Sequence, residues 1–316
     1  MADPRYSNPI IKGPMHHLPD KEHITILVTD SGLGGLSICA DLVNNLIRQG
    51  AARELSVIYF NAWPFQDKGY NDLGGDRERI RVFGNAVSAM NRYNPDLILI
   101  ACNTLSVVFH QGRLAGKVRA PVVDIINFGV DMIAERLNGH PGSTVLILGT
   151  KTTVTSQAHK KRLAERGVSG NRIVQQNCHG LAGAIERDPD SPEVKSLVDQ
   201  FMAQAAAGLA PGTRHIYAAL CCTHYGYCQA FIRKALARHT GAQVDIINPN
   251  QAMSDQVSFG HNRGRCPSVD LEVKVVSRVR LSPQKIDSIA ARVERVSPHT
   301  ARALRDYIRL PDLFEV

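Results

Sequence analysis

The sequence predicts an α/β protein built on parallel sheet, and two observations predict it. Short runs rich in Ile, Val and Leu alternate with amphipathic segments of helix length, and polar residues gather where the runs end. Runs that are apolar on both faces mark strands covered by helices on either side, the usual setting of a parallel sheet. Such sheets bind ligands at the carboxyl ends of their strands.

The first run is "ITILVTD" (24–30), which ends on Asp30-Ser31-Gly32 and leads into a helix over Leu36–Gln49. "LSVIYF" (55–60) is the second strand, followed by a helix from Gly75 to Tyr93. "LILIAC" (97–102) ends on Cys102-Asn103-Thr104, and "PVVDII" (121–126) follows it. "STVLILGT" (143–150) ends on Gly149-Thr150 and precedes helices over Thr155–Arg166 and Val194–Ala207. "IYAALCC" (216–222) delivers Cys222-Thr223-His224, and "QVDIIN" (243–248) is the last core strand. "SPQKIDSIAARVERV" and "SPHTARALRDYIRL" read as helices with a Ser cap and an early Pro. The turn-rich, basic "GHNRGRCPS" precedes them, so residues 255–316 are expected to form a C-terminal helical extension. The Pro-rich, polar residues 1–22 are expected to be a flexible N-terminal segment.

At 316 residues the chain is long enough for one large or two ordinary domains. Its 44% hydrophobic and 21% charged residues are those of a soluble globular protein. The net charge of +8 is modest and scattered, with few aromatics beside it, which argues against a nucleic-acid partner and suits anionic small molecules. No run approaches the roughly 18 apolar residues of a membrane span. The amino terminus lacks the apolar core of a signal peptide. The seven cysteines have neither a disulfide framework's spacing nor a CxxC pair, so a reduced compartment is expected and no metal site. The cytoplasm is the expected location.

Three pieces could carry chemistry. "TDSGLGGLS" (29–37) lacks the GxGxxG spacing and a following GK[ST], which sets a nucleotide site aside. It is either a tight turn with Ser31 or Asp30 capping the helix, or a helix amino terminus that receives a carboxylate beside an ionisable Asp30. Cys102 and Cys222 each end a buried strand, with a Thr within two residues. A single such thiol is usually structural, but the shared context aims both sulfurs at the ligand crevice. Strand alternation turns Cys221 to the opposite face. His224 stands where it could exchange a proton with Cys222. Two thiols on opposite sides of one bound carbon acid suit removal of a proton on one face and delivery on the other, which inverts a stereocentre. Nucleophilic hydrolysis would need only one Cys with a His base.

On these motifs the chain resembles the aspartate/glutamate racemase superfamily, closest to the glutamate racemases. The family's strand endings D-S-G-x-G-G, C-N-T, G-T-x-x-T-x-x-S and C-T-H-Y are matched in order by Asp30–Gly35, Cys102–Thr104, Gly149–Ser156 and Cys222–Tyr225. The resemblance implies two pseudo-symmetric domains, each a mostly parallel sheet flanked by helices, with the active site in the cleft between them. The expected division is 23–124 plus 229–254 for the first domain and 125–228 for the second. It implies a racemase that uses no pyridoxal phosphate, metal or other cofactor and interconverts L- and D-glutamate by two-base chemistry. Cys102 and Cys222 would be the acid/base thiols, assisted by Asp30, His224 and the Glu186 of "HGLAGAIER". Ser31, Asn103, Thr104, Thr153 and Thr223 would bind the substrate's carboxylates and amine.

Some family positions differ. P-Y-G is replaced by Asp67-Lys68-Gly69 in "FNAWPFQDKGY"; Lys68 and Gly69 are the candidate contacts, and either Asp67 or Lys68 could face inward. The Pro of C-T-H-Y-P is Gly226, and the last core strand runs into "IINPN" (246–250) in place of an Asp-Ser pair. These differences keep three alternatives open: a racemase of aspartate or another acidic or modified amino acid, an isomerase or decarboxylase relative, and a non-catalytic binding protein. The expected partners are a small-molecule amino acid and a second copy of the chain in a homodimer, with neither nucleic acid nor membrane. The family role is supply of D-glutamate for peptidoglycan.

Overall fold

The computed structural model describes residues 16–18, 21–50, 52–258, 264, 266 and 268–316. Most of the N-terminal segment and of "GHNRGRCPS" lies outside the described residues. In chain order the strands are β1 (His16–His17), β2 (His23–Asp30), β3 (Glu54–Asn61), β4 (Leu97–Ile100), β5 (Val122–Asp124) and β6 (Thr144–Gly149), then β7 (Ile173–Asn177), β8 (His215–Cys221), β9 (Gln243–Ile247), β10 (Val257–Ser258), β11 (Asp270–Ser277) and β12 (Ile308–Arg309). The helices are α1 (Leu36–Gln49), α2 (Asp76–Met90), α3 (Asn103–Gln111), α4 (Ile125–Gly139), α5 (Lys151–Thr155) and α6 (Ala158–Glu165), then α7 (Leu181–Arg187), α8 (Pro192–Ala207), α9 (Gln229–Thr240), α10 (Pro249–Asp255), α11 (Pro283–Val293) and α12 (Pro298–Arg305).

Two parallel sheets result, one in the order β12-β11-β3-β2-β4-β5 and one in the order β7-β6-β8-β9, with a short β1–β10 pair apart. Each sheet is buried on both faces. Ile24, Ile26 and Val28 of β2 pack with α1, whereas Leu27 packs on the other face with Val82 and Phe83 of α2. In the second sheet Leu146 and Leu148 of β6 pack with α7 and α8, while Val145 and Ile147 pack with α4. Cys222 follows the first of these faces and Cys221 the second, as strand alternation requires.

The structure corrects several expectations. Residues 255–316 are not a purely helical extension: β11 lies beside β3 over eight paired residues and completes the first sheet. The two expected Ser-capped helices do form, with Ser282 and Ser297 accepting from the Lys285 and Thr300 amides. Residues 229–247 do not follow the first sheet, because β9 pairs with β8 in the second. α10 returns to pack on α1. The helix expected over Thr155–Arg166 is two helices, broken at Gln157, whose φ of 59° leaves the helical region. Neither Ser31 nor Asp30 caps α1; the N-cap is Gly35, without a side-chain bond. No helix among the described residues is long and apolar enough to cross a membrane.

Candidate active site

The carboxyl ends of β2, β4, β6 and β8 point into one cavity of about 510 Å³. The glycine turn after β2 explains how the two halves come so close. A Cβ on Gly32 would sit 2.5 Å from Glu186 Oε1, and one on Gly34 would sit 2.4 Å from Thr223 Oγ1 and 2.5 Å from His224 Nδ1. Glycine is required there for close approach of side chains from the second half.

Cys102 is the N-cap of α3, and its Sγ lies 3.1 Å from Ser31 Oγ. Burial, and then the charge of Asp30, push its thiol pKa well above the ordinary value, against hydrogen bonds from Ser31 and the backbone. These surroundings favour the Cys102 thiol over its thiolate. Cys222 lines the same cavity from the other sheet, with its Sγ 3.6 Å from His224 Nδ1. The other imidazole nitrogen, Nε2, is 2.8 Å from Glu186 Oε1. Burial pulls the His224 pKa down, but its hydrogen bonds to Cys222 and Glu186 outweigh that and hold it well above the usual value. Burial would raise Glu186, yet the hydrogen bond and charge of His224, then Lys285, hold it at about 2. Glu186 is thus the anion of a chain that runs from the half-buried Lys285 to the buried Cys222.

Asp30 accepts from Thr223 Oγ1 at 2.9 Å through Oδ2, while its Oδ1 is buried with no partner. The Asn103 side chain is 2% exposed and both of its polar atoms lack a partner; the Tyr70 hydroxyl is buried and unpartnered as well. Each unmet buried group costs about 1–3 kcal/mol, so this arrangement is what a polar ligand would complete. Among the described residues no group of three or more His, Cys, Asp or Glu side chains could hold a metal ion.

Of the residues singled out from sequence, Asp30, Ser31, Gly69, Cys102, Asn103, Thr104, Glu186, Cys222, Thr223 and His224 all line the cavity. Thr153 does not; it is fully buried behind Thr150, 3.1 Å between their hydroxyls, and Thr150 faces the cavity and reaches Thr104 at 2.8 Å. Asp67 and Lys68 are both exposed and line no part of it, so neither faces inward. Sequence reading missed Trp63, Tyr70, Asn71, Cys178 and Lys285. Asn71 Oδ1 accepts from the Thr152 amide at 2.9 Å and ties the first half to α5 of the second. In place of the family's Asp-Ser pair, Asn250 Nδ2 donates to the Thr223 carbonyl and to Ser37 Oγ, each at 3.1 Å.

Comparison with known proteins gives consistent results. The family model described as Asp/Glu/hydantoin racemase matches residues 40–257. A glutamate racemase of Syntrophus aciditrophicus is 25% identical over 233 residues, 72% of this chain and 76% of that protein. One of Nitratiruptor is 26% identical over 271 residues, 84% of this chain and 94% of that protein. Among solved structures, a glutamate racemase isoform of Bacillus anthracis superimposes with a TM-score of 0.65 at 21% identity, covering 87% of this chain and 94% of that one. Glutamate racemase of Francisella tularensis in complex with D-glutamate gives 0.65 at 18% identity, over 93% and 99%. These structural likenesses bear on the fold.

Proposed function

The chain belongs to the Asp/Glu/hydantoin racemase family, and from that premise we propose that it interconverts L- and D-glutamate with Cys102 and Cys222 as the two bases. The observation that carries this reading is the pair of thiols, delivered from the ends of inner strands of two sheets into one cavity beside unpartnered polar groups. Both relatives described above are named glutamate racemase, which supports the choice of substrate.

In this reading each group around the cavity has a role. The α-hydrogen of an amino acid is a weak acid, so the carbanion must be stabilised electrostatically as it forms. The substrate carboxylate has the amides at the start of α3 and the Asn103 amide group to receive it; the ammonium has Asp30 Oδ1 and Asn103 Oδ1. Burial of the thiols keeps water from the carbanion. One sulfur, as thiolate, takes the proton from Cα as the C–H bond breaks. The opposite S–H bond then breaks and its proton goes to the other face of Cα, leaving a thiolate there. The enzyme ends in the mirror protonation state, and His224 can hold or return the proton of Cys222. The proposal includes a cytoplasmic homodimer that supplies D-glutamate for peptidoglycan.

The test is incubation of the purified protein with single enantiomers of glutamate, aspartate and other amino acids in deuterium oxide, without added cofactor. Racemisation of glutamate with label at Cα is expected. Preference for aspartate would move the substrate assignment, and absence of exchange with every amino acid would favour a binding protein on this fold.

A further inference from the structure

We propose that Lys285, brought to the cavity by the C-terminal helix α11, is a positioning residue of the active site that fixes Glu186 against His224 and sets how tightly His224 keeps its proton. Lys285 lies outside residues 40–257, the span of the family match, and no local motif marks it. Its Nζ is 2.8 Å from Glu186 Oε2. The other carboxylate oxygen accepts from His224 Nε2 and from the Leu33 amide, each at 2.8 Å. Glu186 is therefore held from three sides, by the glycine turn, by the imidazole and by the C-terminal segment. Glu186 and His224 are 6% and 7% exposed at their side chains, so the charge of Lys285 acts where water screens it little.

The segment that carries Lys285 is anchored, which makes the contact a built one. β11 is paired along β3 in the first sheet, and Ser282 caps α11 by accepting from the Lys285 amide itself. A second tie joins α11 to the loop after α7, from Arg292 to Asp190. The Lys285 ammonium also lies 5.8 Å from the centre of the Trp63 ring, which lines the same cavity. Other titratable or charged groups face the Glu186 cluster. Asp30 and Cys222 stand at the strand ends, and Tyr59 and Tyr227 lie behind the glycine turn. Arg187 lines the cavity paired with Glu193 at 2.6 Å, and Arg280 borders Lys285 in the adjoining cavity. None of these is hydrogen-bonded to Glu186; Lys285 is the ammonium that touches it.

The direction follows from charge. Removing a cation next to Glu186 leaves its negative charge less compensated, so the His224 cation is held more strongly. A neighbouring unit charge moves a buried group by about one pH unit or more. That corresponds to about tenfold in proton affinity. The inference rests on the racemase reading for its kinetic consequence but not for its geometry.

The experiment is an NMR titration of the His224 ring in the wild type, Lys285→Met and Lys285→Arg, alongside the pH profile of kcat for glutamate. In Lys285→Met the His224 titration should move up by about one unit. The kcat optimum should move the same way, and Lys285→Arg should restore both. A Lys285→Met protein with the wild-type thermal midpoint and an unchanged His224 titration would overturn the proposal. So would equal shifts in Lys285→Met and Lys285→Arg. If no amino acid is racemised by the wild type, the racemase reading fails, and the ring titration alone still decides the role of Lys285.

Discussion

Gly34→Ala adds a single methyl group and should cost the protein most of its activity. The new Cβ would lie 2.4 Å from Thr223 Oγ1 and 2.5 Å from His224 Nδ1, where ordinary contact begins near 3.4 Å, so the turn and the β8 ending must separate by 3.4 − 2.4 = 1.0 Å. Neither neighbour is free to swing aside: Thr223 donates to Asp30 at 2.9 Å, and His224 is held by Glu186 at 2.8 Å. Overpacking of this kind costs about 1–3 kcal/mol. At roughly 1.5 °C per kcal/mol for a chain of this size, Tm should fall by about 2–5 °C. A displacement of about 1 Å in a catalytic group costs on the order of 100-fold in rate. The assay is kcat/KM for both enantiomers with a thermal melt, using Gly142→Ala as control because a Cβ there meets nothing within 4 Å. Wild-type kcat/KM and Tm in Gly34→Ala would refute the close-approach account of the glycine turn.

Further outcomes are expected. Asn103→Ala removes two unpartnered atoms and no protein hydrogen bond, so kcat/KM should fall about 10–100-fold, the worth of a hydrogen bond to a charged group, while Tm should hold or rise; a large Tm loss with intact kinetics would assign Asn103 to structure. His159 is fully buried with neither nitrogen bonded, and burial followed by the charge of Arg162 lowers its pKa from 6.5 to about 4. The folded value lies below the unfolded one, so the unfolded chain takes up the proton first as pH falls. This contribution to stability is complete above pH 6.5 and is lost as pH falls towards 4. Between pH 7 and pH 5 it amounts to 6.5 − 5 = 1.5 units, or about 2 kcal/mol. The urea midpoint of the wild type should therefore fall from pH 7 to pH 5 by more than that of His159→Leu, and parallel loss in both proteins would contradict the assignment. Cys221→Ser should keep racemase activity, since that sulfur packs on the opposite face from Cys222.

The strands that carry the site were legible because β2, β4, β6 and β8 are apolar runs that stop on polar residues. β11 lacks the both-face apolar run that marks the other strands: Asp270, Glu272 and Lys274 alternate with Leu271, Val273 and Val275, the period of a half-buried strand, and burial is partial until Val275. β9 was legible as a strand but not as a member of the second sheet, since sheet partners are a property of the folded chain. The motif "GTKTTVTS" pointed to the right turn, but Thr150, as N-cap of α5, faces the cavity in place of Thr153. Lys68 is a candidate contact by its place beside Gly69, yet the turn that brings Gly69 against Trp63 leaves Lys68 outside. Lys285 and Glu186 are 99 residues apart, and no periodicity or spacing in sequence encodes such a contact.

The two-base claim is tested most directly by the fate of the α-hydrogen in Cys102→Ser and Cys222→Ser. Each variant is incubated with pure L-glutamate and, separately, pure D-glutamate in deuterium oxide, and the Cα–H signal is followed by NMR. With one thiol left on one face, each variant should lose racemisation. Each should still exchange the α-hydrogen of a single enantiomer, and the two variants should exchange opposite ones. Racemisation surviving in either variant, or exchange of the same enantiomer by both, would contradict two thiols working from opposite faces of the substrate.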